Sequence, residues 1–315
     1  MINPKVSVII PTYNRPELLK RAINSVFNQK YRNFEIVIID DNSENENENI
    51  VKEFPPRYIK YLKRKKREDI AFKRNLGIKF STGEYVAFLD DDDEWLPNKL
   101  MQQTSMLTVA DKSVGVIHSN AFIDDGSKVS LTHKAGMFNS IPQNLLEYNF
   151  VVNSSSVVKR ECFNLVGYLD EKLAYCEDWD FWIRVSQRFR FIYLDEPTVI
   201  SHWEDPNNDR GSQDLRRVIK GYQRFIAKHW QEYENHKVIL ARQLFYIGVN
   251  LNVLGDKQLA KWYLLKAYTV YPANFFPLLL FCFYTLENSV INKKSDFANI
   301  LRRFAKKRLL SRAGM

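Results

Sequence analysis

Four short apolar runs, each stopped by polar residues and separated by helix-period segments, pattern the first ninety positions. The run Val6-Ser-Val-Ile-Ile10 is strand-like and is ended by Pro11. From Glu17 to Asn28, Leu18, Leu19, Ala22, Ile23, Val26 and Phe27 recur at helical spacing. Ile36-Val-Ile-Ile39 is a second β-branched run, stopped by Asp40, Asp41, Asn42 and Ser43. Residues 58–62 form a weaker strand, and residues 70–80 predict a helix capped by Asp69 and closed near Gly83. Tyr85-Val-Ala-Phe-Leu89 is a fourth strand, stopped by Asp90, Asp91, Asp92 and Asp93. Strands apolar throughout, with helices between them, imply an α/β domain whose mostly parallel central sheet is covered on both faces.

The middle of the chain is less regular. Residues 114–119 and 153–158 read as strands, and Asp124-Asp-Gly126 as a hairpin turn. Residues 178–187 predict an amphipathic helix, and residues 191–194 and 198–201 two short strands. Residues 204–213, rich in Asp, Asn and Gly, read as a mobile loop. From Leu215 onward the pattern is helical. Residues 246–272, with Gly255-Asp256 between two helices, resemble one tetratricopeptide-type hairpin without a second copy. Residues 267–286 carry no charge, but Pro272, Asn274 and Pro277 disfavour a spanning helix. Residues 301–310 alternate basic and apolar side chains in the manner of an interfacial helix. The division expected is 1–214 for the α/β domain and 215–315 for a basic helical region.

Charge sharpens that division. The 315-residue chain is formally +9, yet residues 215–315 hold 18 basic and 5 acidic residues, while residues 1–214 hold 28 and 32. A tail of that sign suits an anionic membrane surface or a nucleic acid, or is simply a solvated helical face. No nucleic-acid motif accompanies it, so nucleic acid is the weaker partner. The run Lys63-Arg-Lys-Lys-Arg67 reads as solvated surface in preference to a phosphate site. With 45% hydrophobic and 26% charged residues, general disorder is excluded. Three scattered cysteines, Cys162, Cys176 and Cys282, suit reduced thiols in a cytosolic protein. The start of the chain lacks a basic segment followed by a cleavable apolar stretch, which argues against secretion.

In open α/β sheets, ligands bind beyond the carboxyl ends of the strands. Three strand ends here carry polar clusters: residues 11–15, 40–43 and 90–93. Four successive carboxylates repel one another by roughly 1 kcal/mol per pair at ~4 Å even in water. A divalent cation relieves that, and hard oxygen ligands suit magnesium or manganese bridging to phosphates. On an extended backbone, Asp90 and Asp92 point one way and Asp91 and Asp93 the other. Asp41 either accepts hydrogen bonds from a base or ribose, or caps a helix. Tyr13 either stacks on a base or packs. Arg74 and Asn75 either reach a nucleotide or face solvent. Glu177 and Asp178 open a helix, where a carboxylate is held as the anion; they supply a general base or only a cap. His202 is a further metal ligand or an ordinary hydrogen-bonded side chain.

The ordered set Pro11-Thr-Tyr-Asn-Arg15, Ile38-Ile-Asp-Asp-Asn-Ser43, Arg74-Asn-Leu-Gly-Ile78, residues 83–93, Pro97, and Glu177-Asp178 with Phe181 and Arg184 resembles the family 2 glycosyltransferases over residues 4–210. The resemblance implies the GT-A nucleotide-sugar-binding fold and inverting transfer from a nucleotide sugar, usually a UDP-sugar, with a bound manganese or magnesium ion. It assigns Pro11, Thr12, Tyr13 and Asp41 to the base and ribose, with Arg74 reaching the nucleotide. Asp91 would meet the ribose or sugar. Asp92 would bind the metal, with Asp90 and His202 as further candidates. Asp178 would be the base, and Glu177 would lie on the acceptor side. Residues 68–73 lack the family's more usual glycine before Arg-Asn. The Gln-x-x-Arg-Trp helix and transmembrane spans of the processive members are absent from the sequence, which implies single additions. The acceptor implied is a saccharide or lipid-linked saccharide of a surface polysaccharide, met at the inner face of the cell membrane by a cytoplasmic, peripheral enzyme. Sugar nucleotidyl transfer competes but calls for a Gly-rich phosphate loop after the first strand. Glycoside hydrolysis explains paired carboxylates but not nucleotide-type strand ends. A non-catalytic binding module leaves the complete motif set unexplained.

Overall fold

A computed structural model describes residues 3–44, 46–132, 141–203 and 214–282. The chain divides into two compact units: residues 1–145 with 149–208, and residues 146–148 with 209–315.

The first unit is built on one nine-stranded sheet. Its elements in chain order are β1 (Val6–Thr12), α1 (Pro16–Phe27), β2 (Phe34–Asp40), α2 (Glu46–Lys52), β3 (Ile59–Lys63), α3 (Ile70–Phe80), β4 (Tyr85–Phe88), β5 (Asp93–Trp95) and α4 (Lys99–Val109). There follow β6 (Val114–Asp124), β7 (Val129–Leu131), α5 (Ile141–Glu147, whose last two residues are counted with the second unit), β8 (Val157–Lys159), α6 (Arg160–Val166), α7 (Glu177–Ser186) and β9 (Arg190–His202). The strand order is β3-β2-β1-β4-β8-β6-β9-β5, with β7 paired to β6. Strands β1, β2, β3, β4, β6 and β9 run one way, and β5, β7 and β8 return. The sheet is therefore mostly parallel.

Both faces are covered, as uniformly apolar strands require. Val6, Val8, Ile10, Ile36 and Ile38 pack with Leu19, Ala22, Ile23 and Val26 of α1. On the other face Gly77 of α3 sits so close to Ile9 that a Cβ would lie 2.4 Å from Ile9 Cγ2.

Four local expectations change. Pro11 does not end β1. Pairing with β4 stops at Ile9, so only β2 flanks the strand there and the missing N–H costs little. Asp69 occupies the cap position of α3, but its carboxylate does not bond the first-turn amides. Residues 153–155 form a 3₁₀ turn, and only 157–159 pair as a strand. Ser155 and Ser156 hydroxyls there bond nearby backbone carbonyls, competing with ladder formation. The two short strands after residue 190 are one, β9. Its register against β6 jumps from Ser119↔Leu194 to Ala121↔Val199, and the polar residues between are a bulge. The hairpin turn holds, with Gly126 at φ 78°. The loop at 204–213 lies outside the described residues. All three cysteines are free thiols.

His118 of β6 is fully enclosed, and neither ring nitrogen has a hydrogen-bond partner. Phe150, Phe191 and Tyr193 surround it. Burial lowers its pKa from 6.5 to about 4. Between those values the unfolded chain binds the proton more readily, so stability falls as the pH drops through that window. Wild type should lose up to about 3 kcal/mol there relative to His118→Phe, at about 1.4 kcal/mol per pKa unit. Urea midpoints of the two proteins across that range measure it, and parallel profiles would refute it.

The second unit holds α8 (Leu215–Lys228), α9 (Trp230–Glu234), α10 (Lys237–Val253) and α11 (Lys257–Val270), with residues 276–282 also helical. Asp214 caps α8 and Asp256 caps α11. Gly255 at φ 87° makes the turn of the predicted hairpin, whose first helix begins at Lys237, earlier than its pattern implied. Val249, Leu264 and Leu280 pack together. Among the described residues no helix is long and apolar enough to cross a membrane. The pattern at 301–310 lies outside the described residues.

Candidate active site

The strand ends converge as the topology demands. Thr12 closes β1, Asp40 closes β2, and the four carboxylates follow β4. Adjacent parallel strands in register deliver these ends side by side, with Thr12 opposite Asp40.

The four carboxylates do not alternate. Asp93 N–H bonds Asp90 C=O at 3.0 Å, so the backbone turns where an extended chain was expected. Each side chain then meets its own partner. Asp90 Oδ1 accepts from Arg74 Nη2 at 2.8 Å. Asp91 is buried against Arg15 Nη1 at 2.9 Å and accepts from the Thr12 hydroxyl. Asp92 keeps more exposure, with Arg15 Nη1 at 3.8 Å. Asp93 is buried and accepts from the Ser154 hydroxyl. Burial pushes Asp91 up to about 6 and Asp93 up to about 7. Neighbouring carboxylates add to both shifts.

Arg74 joins this turn to α7. It is 5% exposed, and its Nη1 reaches Glu177 Oε1 at 2.6 Å while Nη2 holds Asp90. With the Asn153 amide turned, its oxygen accepts from Arg74 as well. Asn75 is also buried, exchanging hydrogen bonds with the Leu169 backbone. The solvent-facing reading of Arg74 and Asn75 is thereby overturned; Asp90 is 16 residues ahead of Arg74, but Glu177 is 103 ahead and Leu169 is 94 ahead of Asn75.

Asp178 stands beside Glu177 at the start of α7. Asn149 donates to its Oδ2 at 3.1 Å, and the Trp179 amide to its Oδ1 at 2.7 Å. The helix cap is Cys176, held at φ 65°. A helix start was expected to keep these carboxyls acidic. Instead both pKa values are raised: burial outweighs the helix N-terminus and Arg74. Glu177 is held by Arg74, while Asp178 is partly open to solvent.

The other candidates are placed as follows. Asp41 is enclosed, accepting from the Glu68 amide at 2.7 Å and from Lys73 Nζ at 2.9 Å. It does not cap α2; Asp40 bonds Ser43 N–H and Asn47 instead. Pro11 is buried within β1. The Tyr13 ring is covered by the Arg67 guanidinium, 4.0 Å from its centroid. His202 ends β9 between Glu94 at 3.3 Å and Asp124 at 3.9 Å. Asp90, Asp92 and His202 do not form a ready cluster. Among the described residues no group of three or more His, Cys, Asp or Glu is set to hold a metal. The donor chemistry still fits a hard cation: Asp90 and Asp92 offer oxygen, in a carboxylate cluster opposed by Arg15 and Arg74.

Residues 7–161 match the Glycosyl transferase family 2 model. An uncharacterized glycosyltransferase of Methanocaldococcus jannaschii is 30% identical over 240 residues, spanning 73% of this chain and 81% of that protein. The chain belongs to glycosyl transferase family 2. The amylovoran biosynthesis glycosyltransferase AmsB of Erwinia amylovora is 32% identical to this family member over 208 residues, 62% of this chain and 69% of AmsB. The solved mannosyltransferase PcManGT from Pyrobaculum calidifontis, in complex with GDP-Man and Mn2+, shares the fold. Its TM-score is 0.59 at 17% identity, over 99% of this chain and 88% of that one. S. aureus TarS 1–349 in complex with UDP-GlcNAc gives a TM-score of 0.54 at 19% identity, over 86% and 75%. This glycosyltransferase thus has the expected GT-A-like α/β fold followed by helices.

Four polar residues of the candidate site were given no role by sequence reasoning. Arg15 pairs with Asp91, Lys73 with Asp41, Asn149 with Asp178, and Asn153 faces Arg74. Arg15 and Lys73 carried a signal, a cation flanking a motif; the two asparagines carried none.

Proposed function

We propose that this glycosyltransferase moves one sugar from a nucleoside-diphosphate donor, a UDP-sugar, to a hydroxyl of a glycan or lipid-linked saccharide, with inversion, in cell-surface polysaccharide synthesis. The observation that carries this is the ion-pair chain Asp90–Arg74–Glu177, which ties the donor-side turn to the helix bearing Asp178. In one displacement the acceptor oxygen bonds the anomeric carbon, the bond to the diphosphate breaks, and the hydroxyl proton passes to an Asp178 carboxylate oxygen. Asp178 suits this because it is partly open, whereas Glu177 is engaged by Arg74. Glu177 then serves the acceptor side through its position. We read Arg74 as a brace in place of a nucleotide contact.

Pro11, Thr12, Tyr13 and Asp41 frame the base and ribose in this reading, and Asp91 meets the ribose or sugar. Asp92, with Asp90 beside it, would hold manganese or magnesium; His202 is a further candidate. The metal supplies neutralisation of the leaving diphosphate. AmsB's role in amylovoran biosynthesis supports the polysaccharide assignment. TarS, solved with UDP-GlcNAc, supports UDP, while PcManGT, solved with GDP-Man and Mn2+, supports the metal and supplies the rival donor. Residues 1–214 act as the catalytic domain. The basic region 215–315 holds the enzyme peripherally on the cytoplasmic face of the membrane.

A panel of UDP- and GDP-sugars, hydrolysed with and without manganese, tests the reading. UDP-sugar turnover stimulated by metal is expected, and Asp92→Ala should lose metal-dependent donor binding by at least about tenfold, the scale of a lost charged contact. Full activity in excess chelator would overturn the metal assignment. Turnover of GDP-sugars alone would overturn UDP.

A further inference from the structure

Among the described residues of the second unit, α11 presents an exposed apolar face. On α11, Ala260, Leu264 and Ala267 are buried, so the opposite arc faces outward. That arc carries Leu259 at 37%, Trp262 at 50% and Leu265 at 40% exposure. Helical spacing of three places them on one stripe. Lys261 and Lys266 stand among them, and Lys266 Nζ lies 4.6 Å from the Trp262 ring centroid and 4.8 Å from that of Trp230. Past α11, Phe275 and Leu279 are 64% and 52% exposed. No acidic residue occurs between Asp256 and Glu287.

A saccharide platform would surround its indole with polar acceptors; Gln258 and Thr269 are exposed on this arc, but Leu259, Leu265, Lys261 and Lys266 outnumber them. A second copy of the same stripe would bring lysine against lysine. An anionic lipid surface matches the leucines, the indole and the lysines together. Leucines enter the acyl boundary, the indole rests at the interface, and the ammonium groups meet phosphates.

We propose that the outward face of α11, centred on Trp262 and Lys266, is the surface by which this protein lies on anionic phospholipid. The proposal rests on the membrane reading above and names the face responsible.

Flotation of the full chain with phosphatidylcholine vesicles, with and without phosphatidylglycerol, tests it. Wild type should float with the anionic vesicles and largely stay behind with neutral ones. The double variant Trp262→Gln/Leu265→Gln should reduce flotation about tenfold, with an unchanged melting temperature because both sites are exposed. Lys261→Glu/Lys266→Glu, which keeps the apolar stripe, should reduce it as much and abolish the preference for phosphatidylglycerol. If wild type floats and both double variants float equally well, this face is wrong and another segment docks. If wild type floats with neither vesicle, the membrane reading itself fails. If the variants change the sedimentation coefficient but not flotation, the face is an interface between copies and the proposal is overturned.

Discussion

Asp178→Asn is expected to lower the transfer rate by about 100-fold or more, the scale of general-base loss, with donor affinity nearly intact. The substitution keeps the shape, and its oxygen can still accept from the Trp179 amide. It removes the anion that takes the proton and, with it, the acceptor that Asn149 meets. The pH profile carries a second signature. Burial raises the Asp178 pKa, so the base is protonated earlier on acidification than an ordinary aspartate. Activity should fall on the acid side at a pH above the usual carboxylate range, and that limb should vanish from the residual rate of the variant. Steady-state rates with saturating donor across pH measure both. Near-normal turnover in Asp178→Asn, with loss in Glu177→Gln, would move the base one residue earlier. Indifference to both changes would leave Asp178 as a structural residue at the helix start.

Arg74→Met should cost about 3–5 kcal/mol of folding stability, the range for breaking a buried pair by removing one partner. The loss falls mainly on Glu177, whose side chain is 9% exposed and would face Asp90 with no cation between them. Methionine fills much of the space, so the cost is electrostatic more than a cavity. Arg74→Lys should recover part of the stability but little turnover, because one ammonium cannot span Asp90, Glu177 and Asn153 as a planar fork does. Urea denaturation and single-turnover rates separate the two effects. A methionine variant with wild-type stability would show that Arg74 does not hold the turn to the helix.

The alternation of strands and helices was legible because strands covered on both faces leave few polar positions: β1, β2 and β4 are buried along their whole length, and within them Ser7 and Glu35 satisfy one another. The strand-end clusters were legible for the same reason, since a buried run makes its polar terminus conspicuous. What escaped depends on distant partners. Nothing local to Arg74 says that Glu177 lies against it. Nothing local to Asp178 shows that burial will outweigh the helix start. The turn at Asp90 and Asp93 was hidden because four identical residues carry no pattern. Pro11 misled in the opposite direction: a proline reads as a stop until one sees that β4 has already left its side.

Under the proposed donor reading, the contact between Tyr13 and Arg67 gives base binding the character of an exchange. The ring proposed to stack on the base already bears a guanidinium on one face. An exposed stack of this kind is worth about 0.5–1 kcal/mol, so displacing it weakens the donor by no more than about fivefold. In return the phenol ring awaits its ligand in a held rotamer, and the freedom it would otherwise lose on binding is already surrendered. In the proposed reading of the donor site, Arg67 would be a placeholder, keeping an aromatic shelf level until a flatter and larger occupant evicts it.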